Sequence, residues 1–358
     1  MRLLLSFMGL VFILHALNVT SGASQPANEV RDPTIEFEIA DKKLTLDHRC
    51  SVGALNEPEE ELFGSSQSIL IDSKGNLIVA DRDAGEIRLF DETCAFVAET
   101  GQLGQGPGEF QWISSMVTGE DGHIIVFDNN NARLSFFERN EGIELVESLS
   151  LDISPTAIYR FYTYGDGQHF AIVGNITGKD ELVHLYSKDG AYVKSFASLL
   201  KVADTYDNEL ARNQLNQGLL IQLDHFHKIV ALRSPYTLVK YDADNEVVWA
   251  VEEDLWDAPW EGYINITRDS YQVGVYPQIL FAGMLSTELF VVEYADFEAE
   301  TRSIDFRNTD TGELVKRVAV DFERELVALR QDTSSSGFAV FGSSASYPSF
   351  SVYQWTIE

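Results

Sequence analysis

Between Gln67 and Phe110 the chain alternates short apolar runs with turn-forming residues. Four of these runs are apolar or alternate apolar with polar positions, as β-strands do, at 68–71, 77–80, 86–90 and 95–100. Clusters of Asp, Gly, Ser and Asn separate the runs, which is the composition of tight turns. Four strands in about forty-five residues predict one antiparallel sheet of the size that repeats in β-propellers.

The same unit recurs along the chain. Gly75-Asn-Leu-Ile-Val-Ala-Asp81 is followed 47 residues later by Gly122-His-Ile-Ile-Val-Phe-Asp128, and a third copy begins at Asp166. Blades are predicted at 67–100, 111–150, 155–198, 218–252, 276–320 and 325–357, the last one completed by 43–52. The predicted fold is therefore all-β: a six-bladed β-propeller of four-stranded antiparallel blades, closed by an N-terminal strand in the last blade. Residues 34–358 form its single domain.

Three consecutive motifs resemble a known group. Asp72-x-x-Gly-Asn precedes Val-Ala-Asp81, the third strand ends in Phe90-Asp91, and the junction ends in Gly-Pro-Gly-Glu-Phe110. This pattern resembles the NHL-like six-bladed β-propellers, and it looks most like the secreted bacterial ones with GPGEF at a blade junction. The resemblance is good over 67–138, thinner to about 198 and architectural beyond. It implies a fold and a surface location, but no activity, since many members have none assigned.

The first 33 residues have the composition of an export signal and a leader. Residues 1–23 are predicted to be a signal peptide, with Arg2, an apolar stretch from Leu3 to Leu17 and small residues at Ser21-Gly-Ala23. Residues 24–33 are predicted to be a flexible leader. The apolar stretch is shorter than the roughly 20 residues of a spanning helix. We therefore expect an exported protein (periplasmic, cell-surface or extracellular) with no stable membrane span after signal cleavage; an uncleaved anchor is the alternative.

The charge of the chain excludes one class of partner. Lys and Arg number 26 against 56 Asp and Glu, giving a formal net charge of −30. Such a field repels phosphate backbones, so no nucleic-acid partner is expected. The acidity is typical of a solvated surface, and attraction of Ca²⁺ or of a cationic partner is the alternative.

Acidic and amide side chains follow two equivalent strands. Asp81 and Asp128 each end a strand, where a carboxylate can accept hydrogen bonds from neighbouring backbone N–H groups and hold the loop. Asp83, Asn129 and Asn130 are weak candidates for Ca²⁺ ligands, and no other cofactor is evident.

The glycine-rich junction at 101–108 superficially resembles a phosphate-binding loop. A strand follows it instead of a helix, so the glycines are expected to make a sharp turn with positive φ.

Catalytic residues remain unknown at this stage. Neither Gly-x-Ser-x-Gly nor His-Glu-x-x-His occurs, and His225 and His227 have no third ligand at a suitable spacing. Two functions stay open. The first is an exported non-catalytic scaffold that binds a protein or glycan-like ligand on its loop face. The second is a metal-assisted propeller hydrolase or lyase that acts on a small ester, lactone or sugar derivative.

Basic and aromatic residues in the predicted loops are the candidates for ligand binding. Guanidinium groups suit carboxylate or sulfate, and aromatic rings suit sugar faces or side chains of a partner. Pairing of the arginines with Asp81, Asp83 or Asp269 is the structural alternative. The candidates are Arg82, Arg133, Arg233, Arg268, Trp256, Trp260 and Tyr263.

The chain has two cysteines, Cys50 and Cys94. Export favours a disulfide. The strand assignment, however, places Cys94 at a turn between the third and fourth strands and Cys50 near the far end of the closing strand. These positions belong to opposite faces, beyond the ~7 Å between Cα atoms that a disulfide allows. Two free thiols are therefore expected.

Overall fold

The computed structural model describes strands and turns between Thr34 and Glu358. The predicted signal peptide and leader lie outside the described residues. The described residues are 34–53, 62–64, 66–119, 122–139, 142–153, 160–164, 169–176, 178–199, 217–224, 227–233, 236–253, 264–266, 271–273, 278–296, 300–320, 324–343 and 348–358.

The strands follow one another in the predicted order. The chain begins with β1 (Ile35–Ile39) and β2 (Lys42–Val52). Blade one contains β3 (Ser66–Ile71), β4 (Leu77–Asp81), β5 (Glu86–Phe90) and β6 (Phe96–Gly101). Blade two contains β7 (Ile113–Thr118), β8 (Ile124–Asp128), β9 (Arg133–Arg139) and β10 (Ile143–Ser150). Blade three contains β11 (Arg160–Tyr164), β12 (His169–Val173), β13 (Glu181–Ser187) and β14 (Tyr192–Ser198).

The second half repeats this plan around one insertion. Blade four contains β15 (Gly218–Gln222), β16 (Lys228–Leu232), β17 (Thr237–Tyr241) and β18 (Val247–Glu252). A two-stranded hairpin, β19 (Ile264–Ile266) and β20 (Tyr271–Val273), lies in the junction that follows. Blade five contains β21 (Gln278–Met284), β22 (Leu289–Asp296), β23 (Thr301–Asn308) and β24 (Leu314–Val320). Blade six contains β25 (Arg324–Thr333), β26 (Ser336–Ser343) and β27 (Ser349–Ile357).

Closure by an N-terminal strand is confirmed. The sheet of blade six has the order β1-β2-β27-β26-β25, so β2 is the fourth strand and β1 adds a fifth outside it. The pairing of β2 with β27 runs from Leu44 opposite Ile357 to Val52 opposite Phe350. The first strands of neighbouring blades contact each other around the ring, which places them nearest the axis. The six-bladed all-β fold is therefore confirmed, and no open edge remains at the point of closure.

Packing between blades supplies the hydrophobic core. Among the described residues, buried apolar side chains form six clusters, one at each interface between neighbouring blades. The cluster between blades six and one includes Val52, Phe90 and Phe350. Both faces of each sheet are thus buried, and this arrangement explains why the second strands are nearly continuous apolar runs.

The first strand of each blade lies at the inner edge of its sheet. One row of its backbone N–H and C=O groups therefore has no neighbouring strand to pair with and needs other partners. Side chains of the preceding blade provide some of them. The Ser68 hydroxyl accepts a hydrogen bond from the Met116 N–H at 2.8 Å, and the Ser115 hydroxyl accepts one from the Phe161 N–H at 2.9 Å. Within the described segments, no helix combines the length and hydrophobicity needed to span a bilayer.

The expectation of two free thiols is wrong. Cys50 and Cys94 form a disulfide with their Cα atoms 5.8 Å apart, and the bond joins the closing strand β2 to the turn between β5 and β6 of blade one. The register of β2 shifts between His48 and Cys50, so Arg49 forms a bulge. One extra residue turns every later side chain to the other face of the strand.

The burial pattern of β2 shows this reversal. Leu44 and Leu46 pack in the cluster between blades five and six, whereas Val52 and Cys50 pack in the cluster between blades six and one. The twist of about 20–25° per strand also accumulates towards the outer strand of a blade. The bulge and the twist together bring Cys50 away from its expected position at the far face of the ring and next to the turn that carries Cys94.

Candidate ligand-binding face

Antiparallel order places two kinds of segment on the same face of the ring. The loops between second and third strands and the junctions between blades lie together there, and we call this the loop face. Contacts agree with this arrangement in blades one and two. The Asn131 side-chain amide donates to the Gly104 carbonyl at 3.1 Å, which joins a loop between second and third strands to a junction.

Two buried carboxylates hold the loops of blades one and two. Asp81 accepts hydrogen bonds from the backbone N–H groups of Gly64 at 2.9 Å and Asp83 at 3.1 Å. Asp128 accepts from the N–H groups of Gln111 at 2.8 Å and Trp112 at 3.0 Å. Both side chains are at most 2% exposed. The predicted structural role of these two aspartates is confirmed.

The glycine-rich junction is a turn stabilised by its own glutamate. Gly101 and Gly108 have φ values of 101° and 77°, as the sequence predicted. A Cβ on Gly101 would lie 2.7 Å from the Gly85 carbonyl oxygen. The Glu109 carboxylate accepts from the Gly106 N–H at 2.8 Å and from the Gln102 side chain at 2.7 Å. The bond from Gly106 contributes most to holding the pKa of Glu109 below its ordinary value.

Arg133 is built into this junction. Its side chain starts at the first residue of β9 and is only 8% exposed. One terminal nitrogen donates to the Gln105 carbonyl at 2.9 Å, and the other donates to the Glu109 carbonyl. The guanidinium therefore holds the junction in place through hydrogen bonds to two of its backbone oxygens.

Arg233 makes comparable contacts between blades four and five. Its Nη1 donates to the Gln217 side-chain oxygen at 2.6 Å, and its Nε donates to the Ile279 carbonyl at 3.2 Å. Gln217 precedes the inner strand of blade four, and Ile279 lies in the inner strand of blade five. Arg233 thus joins the starts of two neighbouring inner strands at the loop face.

Arg82 has a different environment. Its guanidinium carbon lies 4.4 Å from the ring centre of Trp112, and its Nε lies 3.5 Å from an Asp83 carboxylate oxygen. The Arg82 side chain remains 25% exposed and that of Asp83 58% exposed. Arg82 therefore combines a stacked aromatic partner in the next junction with the local aspartate pairing that the sequence suggested as an alternative.

An exposed leucine lies in the same region. Leu103 is 59% exposed, although it belongs to the junction between blades one and two. A Cβ on Gly85 would lie 2.7 Å from the Leu103 backbone nitrogen, so the loop that carries Arg82 packs against this segment. We call Arg82, Leu103 and Trp112 the junction patch. It joins a cation, a half-buried aromatic ring and an exposed aliphatic side chain.

Sequence reasoning identified Arg82 but missed its two neighbours. Trp112 falls within the predicted second blade at 111–150, and Leu103 falls within the glycine-rich junction at 101–108. The one signal available was a tryptophan directly after a glycine-rich junction, where loops tend to carry binding residues.

Four further candidates lie outside the described residues. They are Trp256, Trp260, Tyr263 and Arg268, all in the junction that contains β19 and β20. The junction starts beside a buried network: Arg307 donates to the Tyr236 hydroxyl at 2.8 Å and pairs with Glu253, the last described residue before it.

The three weak Ca²⁺ candidates differ in how deeply they are buried and in the groups they contact. The Asp83 carboxylate pairs with Arg82, Asn129 is 7% exposed, and Asn130 is exposed. In the part of the chain that the structure describes, no three His, Cys, Asp or Glu side chains form a group able to hold a metal ion.

A second charged cluster lies between blades five and six, near the start of β25. Glu293 is fully buried, and one of its oxygens accepts from the Leu326 N–H at 3.0 Å. The other oxygen is 3.6 Å from an Arg302 nitrogen, and Arg302 is also 3.8 Å from Glu325. Burial raises the pKa of Glu293 to about 8, against the influence of Arg302. The buried carboxyl therefore takes up a proton more readily than an exposed glutamate does.

Comparison with known proteins agrees with this architecture. Residues 37–199 match the sequence profile of the DUF5128 family, a 6-bladed beta-propeller. The match spans β2 and the first three blades. No curated protein matches the chain.

Solved propellers superpose over nearly the whole chain. A member of the DUF4221 family from Bacteroides vulgatus gives a TM-score of 0.57 at 10% identity, covering 90% of this chain and 99% of that chain. A catalytically inactive variant of virginiamycin B lyase from Staphylococcus aureus, crystallised with quinupristin, gives 0.50 at 10% identity, covering 92% and 97%. A luciferin-regenerating enzyme gives 0.50 at 10% identity, covering 86% and 94%. Identities this low establish the shared fold alone.

Proposed function

We propose that the protein is an exported binding scaffold whose loop face is non-catalytic and takes an anionic group of a protein or glycan ligand. The junction patch is the observation that supports this proposal. Arginine and tryptophan are the side chains most enriched at the energetic centres of interfaces. Here they stack on each other at 4.4 Å, and the loop that carries Arg82 packs against the segment that holds the exposed Leu103.

The loops that carry the patch are fixed before any ligand arrives. Asp81 and Asp128 hold the backbone of both loops, and Arg133 holds the junction between them. A preorganised surface loses less conformational entropy on binding than a mobile one. This rigidity favours recognition of a defined group over wrapping around a flexible partner.

The chemistry of Arg82 selects the class of ligand. Stacking on Trp112 engages the flat face of the guanidinium, while its N–H groups lie in the plane and point to the sides. Planar N–H donors suit carboxylate and sulfate oxygens. The proposed ligand therefore carries one of these groups next to an apolar or sugar surface that can contact Trp112 and Leu103. Trp256, Trp260, Tyr263 and Arg268 remain proposed ligand-binding residues on the sequence alone.

The net charge of −30 opposes the approach of an anionic ligand. Salt screens long-range repulsion between exposed charges but weakens close contacts much less. The association rate constant should therefore rise between low and physiological ionic strength, which is opposite to the usual salt dependence of an electrostatically steered pair.

Arrays of sulfated, carboxylated and neutral oligosaccharides and of acidic peptides provide the test. Wild-type protein is compared with the Arg82→Ala variant and with Arg330→Ala. Arg330 is a matched control, because it is 34% exposed and pairs with Asp332 at 2.9 Å near the end of β25, towards the opposite face.

Binding to anionic probes that Arg82→Ala loses and Arg330→Ala keeps is the expected result. Equal binding by the wild type and both variants, or binding restricted to neutral probes, contradicts the proposal. Turnover of a small ester or lactone that depends on an added divalent cation would instead support the metal-assisted hydrolase or lyase.

A further inference from the structure

A chain of hydrogen bonds crosses the outer two strands of blade three. His184 in β13 lies opposite Ser195 in β14, and the His184 side chain is fully buried. Its Nδ1 is 2.8 Å from the Ser195 Oγ, and its Nε2 is 2.9 Å from the Gly174 carbonyl oxygen. The Tyr192 hydroxyl is 2.8 Å from the same Ser195 Oγ. This group spans the third and outer strands of blade three and reaches the loop between β12 and β13 through Gly174.

The direction of each hydrogen bond follows from the chemistry of the partners. A carbonyl oxygen only accepts, so the His184 Nε2 carries a hydrogen and donates to Gly174. Burial lowers the pKa of His184 below its ordinary value, and the ring is neutral at pH 7. Its Nδ1 then has no hydrogen and accepts from the Ser195 hydroxyl. The Tyr192 hydroxyl accordingly donates to the Ser195 oxygen.

This arrangement contains the parts of an activated nucleophile. A serine hydroxyl donates to an unprotonated imidazole nitrogen, and an acceptor on the other ring nitrogen fixes the orientation of the base. Ser195 is only partly buried and Tyr192 is 45% exposed, so an electrophile can approach from solvent. The Lys179 ammonium lies 4.0 Å from the centre of the Tyr192 ring and adds positive charge beside the tyrosine.

We propose that Ser195 is an acyl-accepting nucleophile for small activated carboxylic esters, with His184 as its general base. The Ser195 oxygen bonds to the ester carbonyl carbon while its proton passes to the His184 Nδ1. The carbon–oxygen bond to the leaving alcohol then breaks, and that alcohol takes the proton from His184. Water reverses the sequence: it attacks the acyl-serine, gives a proton to His184 and releases the acid and free Ser195. The Tyr192 hydroxyl can donate to the negative oxygen formed on the acyl carbon.

A fluorophosphonate probe tests this proposal, because it labels serines that act as nucleophiles. Folded protein is incubated with the probe and the labelled residue is located by peptide mass spectrometry. Labelling at Ser195 is expected, and His184→Gln should slow it by about 100-fold or more, the range that general base catalysis contributes. Ser198, an exposed serine on the same strand, is the internal control and should stay unlabelled.

The pH profile supplies a second readout that needs no variant. Labelling should be constant from pH 7 to 9 and should fall in acid as His184 becomes protonated, below the ordinary pKa of histidine. Absence of label on Ser195 overturns the proposal and leaves the hydrogen bonds as a way to satisfy a buried histidine. Equal labelling in folded His184→Gln protein overturns it as well. A rate that rises tenfold per pH unit between 7 and 9 shows that the serine reacts without the base.

Discussion

The Cys50–Cys94 disulfide fastens the ring across its point of closure, so breaking it should lower stability substantially. The perturbation is the double variant Cys50→Ala and Cys94→Ala. Alanine is preferred to serine because Cys94 is 5% exposed and packs in the cluster with Phe90 and Phe350. A hydroxyl at that position would lose its hydrogen bonds to water and add an unrelated cost.

The expected loss follows from the length of the closed loop. The two cysteines are separated by 44 residues. Cross-linking a loop of that length removes unfolded-state entropy worth about 4 kcal/mol at 25 °C, and measured disulfides give roughly 2–4 kcal/mol. A typical domain is stable by about 5–15 kcal/mol in total. The double variant should therefore retain the fold while losing a large share of its stability.

Equilibrium unfolding in guanidinium chloride, followed by tryptophan fluorescence, measures this loss. Each single variant should unfold at the same midpoint as the double variant, because either change breaks the bond. Reduced wild-type protein should match them too. Hydrogen exchange adds a spatial test: amides of β2 should exchange faster after reduction, while those of β12 should not change. Unchanged midpoints in all variants, or two free thiols in denatured unreduced protein, would refute the reasoning.

Four further perturbations test the packing and the charges. Arg133→Ala should cost about 1.5–3 kcal/mol in guanidinium unfolding, because it removes charged donors from two backbone carbonyls of the junction, whereas Arg82→Ala should cost less than about 0.5 kcal/mol. A chain beginning at Asn56 lacks β2 and should aggregate on size-exclusion chromatography; a monomer that melts like the whole protein would contradict the closure. Burial raises the pKa of Glu293 to about 8 from 4.5, so melting temperature should fall between pH 5 and 8, and Glu293→Gln should flatten that fall. Burial lowers the pKa of Lys228 to about 8 from 10.5, so stability should increase between pH 8 and 10, and Lys228→Met should abolish the increase. If the dependence of stability on pH persists in Glu293→Gln or in Lys228→Met, other titrating groups cause it.

Alternation of apolar and polar residues was sufficient to predict the blades. The predicted blade at 67–100 corresponds to β3 through β6 at 66–101, and the predicted closing strand at 43–52 corresponds to β2 at 42–52. An antiparallel hairpin is formed by residues close together in the chain. Its alternation of apolar and polar side chains and its turn residues can therefore be recognised in a short stretch of sequence. Closure was predictable because the last blade supplied only three strands.

The disulfide was not predictable for the opposite reason. The bulge at Arg49 depends on how β2 fits against β27, a strand about 300 residues later in the chain. Nothing in the local alternation around Cys50 marks the extra residue. A shift of one position nevertheless decides whether that side chain faces blade five or blade one.

The candidate site was predictable at the level of loops but not of partners. Position after a second strand identified Arg82 and Arg133 alike, yet one guanidinium stacks on a ring and the other holds backbone carbonyls of the junction. That difference comes from the path of the junction between blades one and two, which brings Trp112 beside Arg82 and places two backbone oxygens beside Arg133. The function of each arginine is therefore set by tertiary contacts.

Calorimetric titration with an anionic probe tests the central claim most directly. A sulfated hexasaccharide and a hexaglutamate peptide are each titrated into wild-type protein and into the Arg82→Ala, Trp112→Ala and Arg330→Ala variants. We expect at least one probe to bind the wild type. Arg82→Ala and Trp112→Ala should then weaken its affinity at least tenfold, or about 1.4 kcal/mol, while Arg330→Ala stays within about twofold of the wild type. Binding of neither probe by the wild type, or equal affinity in all four proteins, would contradict recognition through the junction patch.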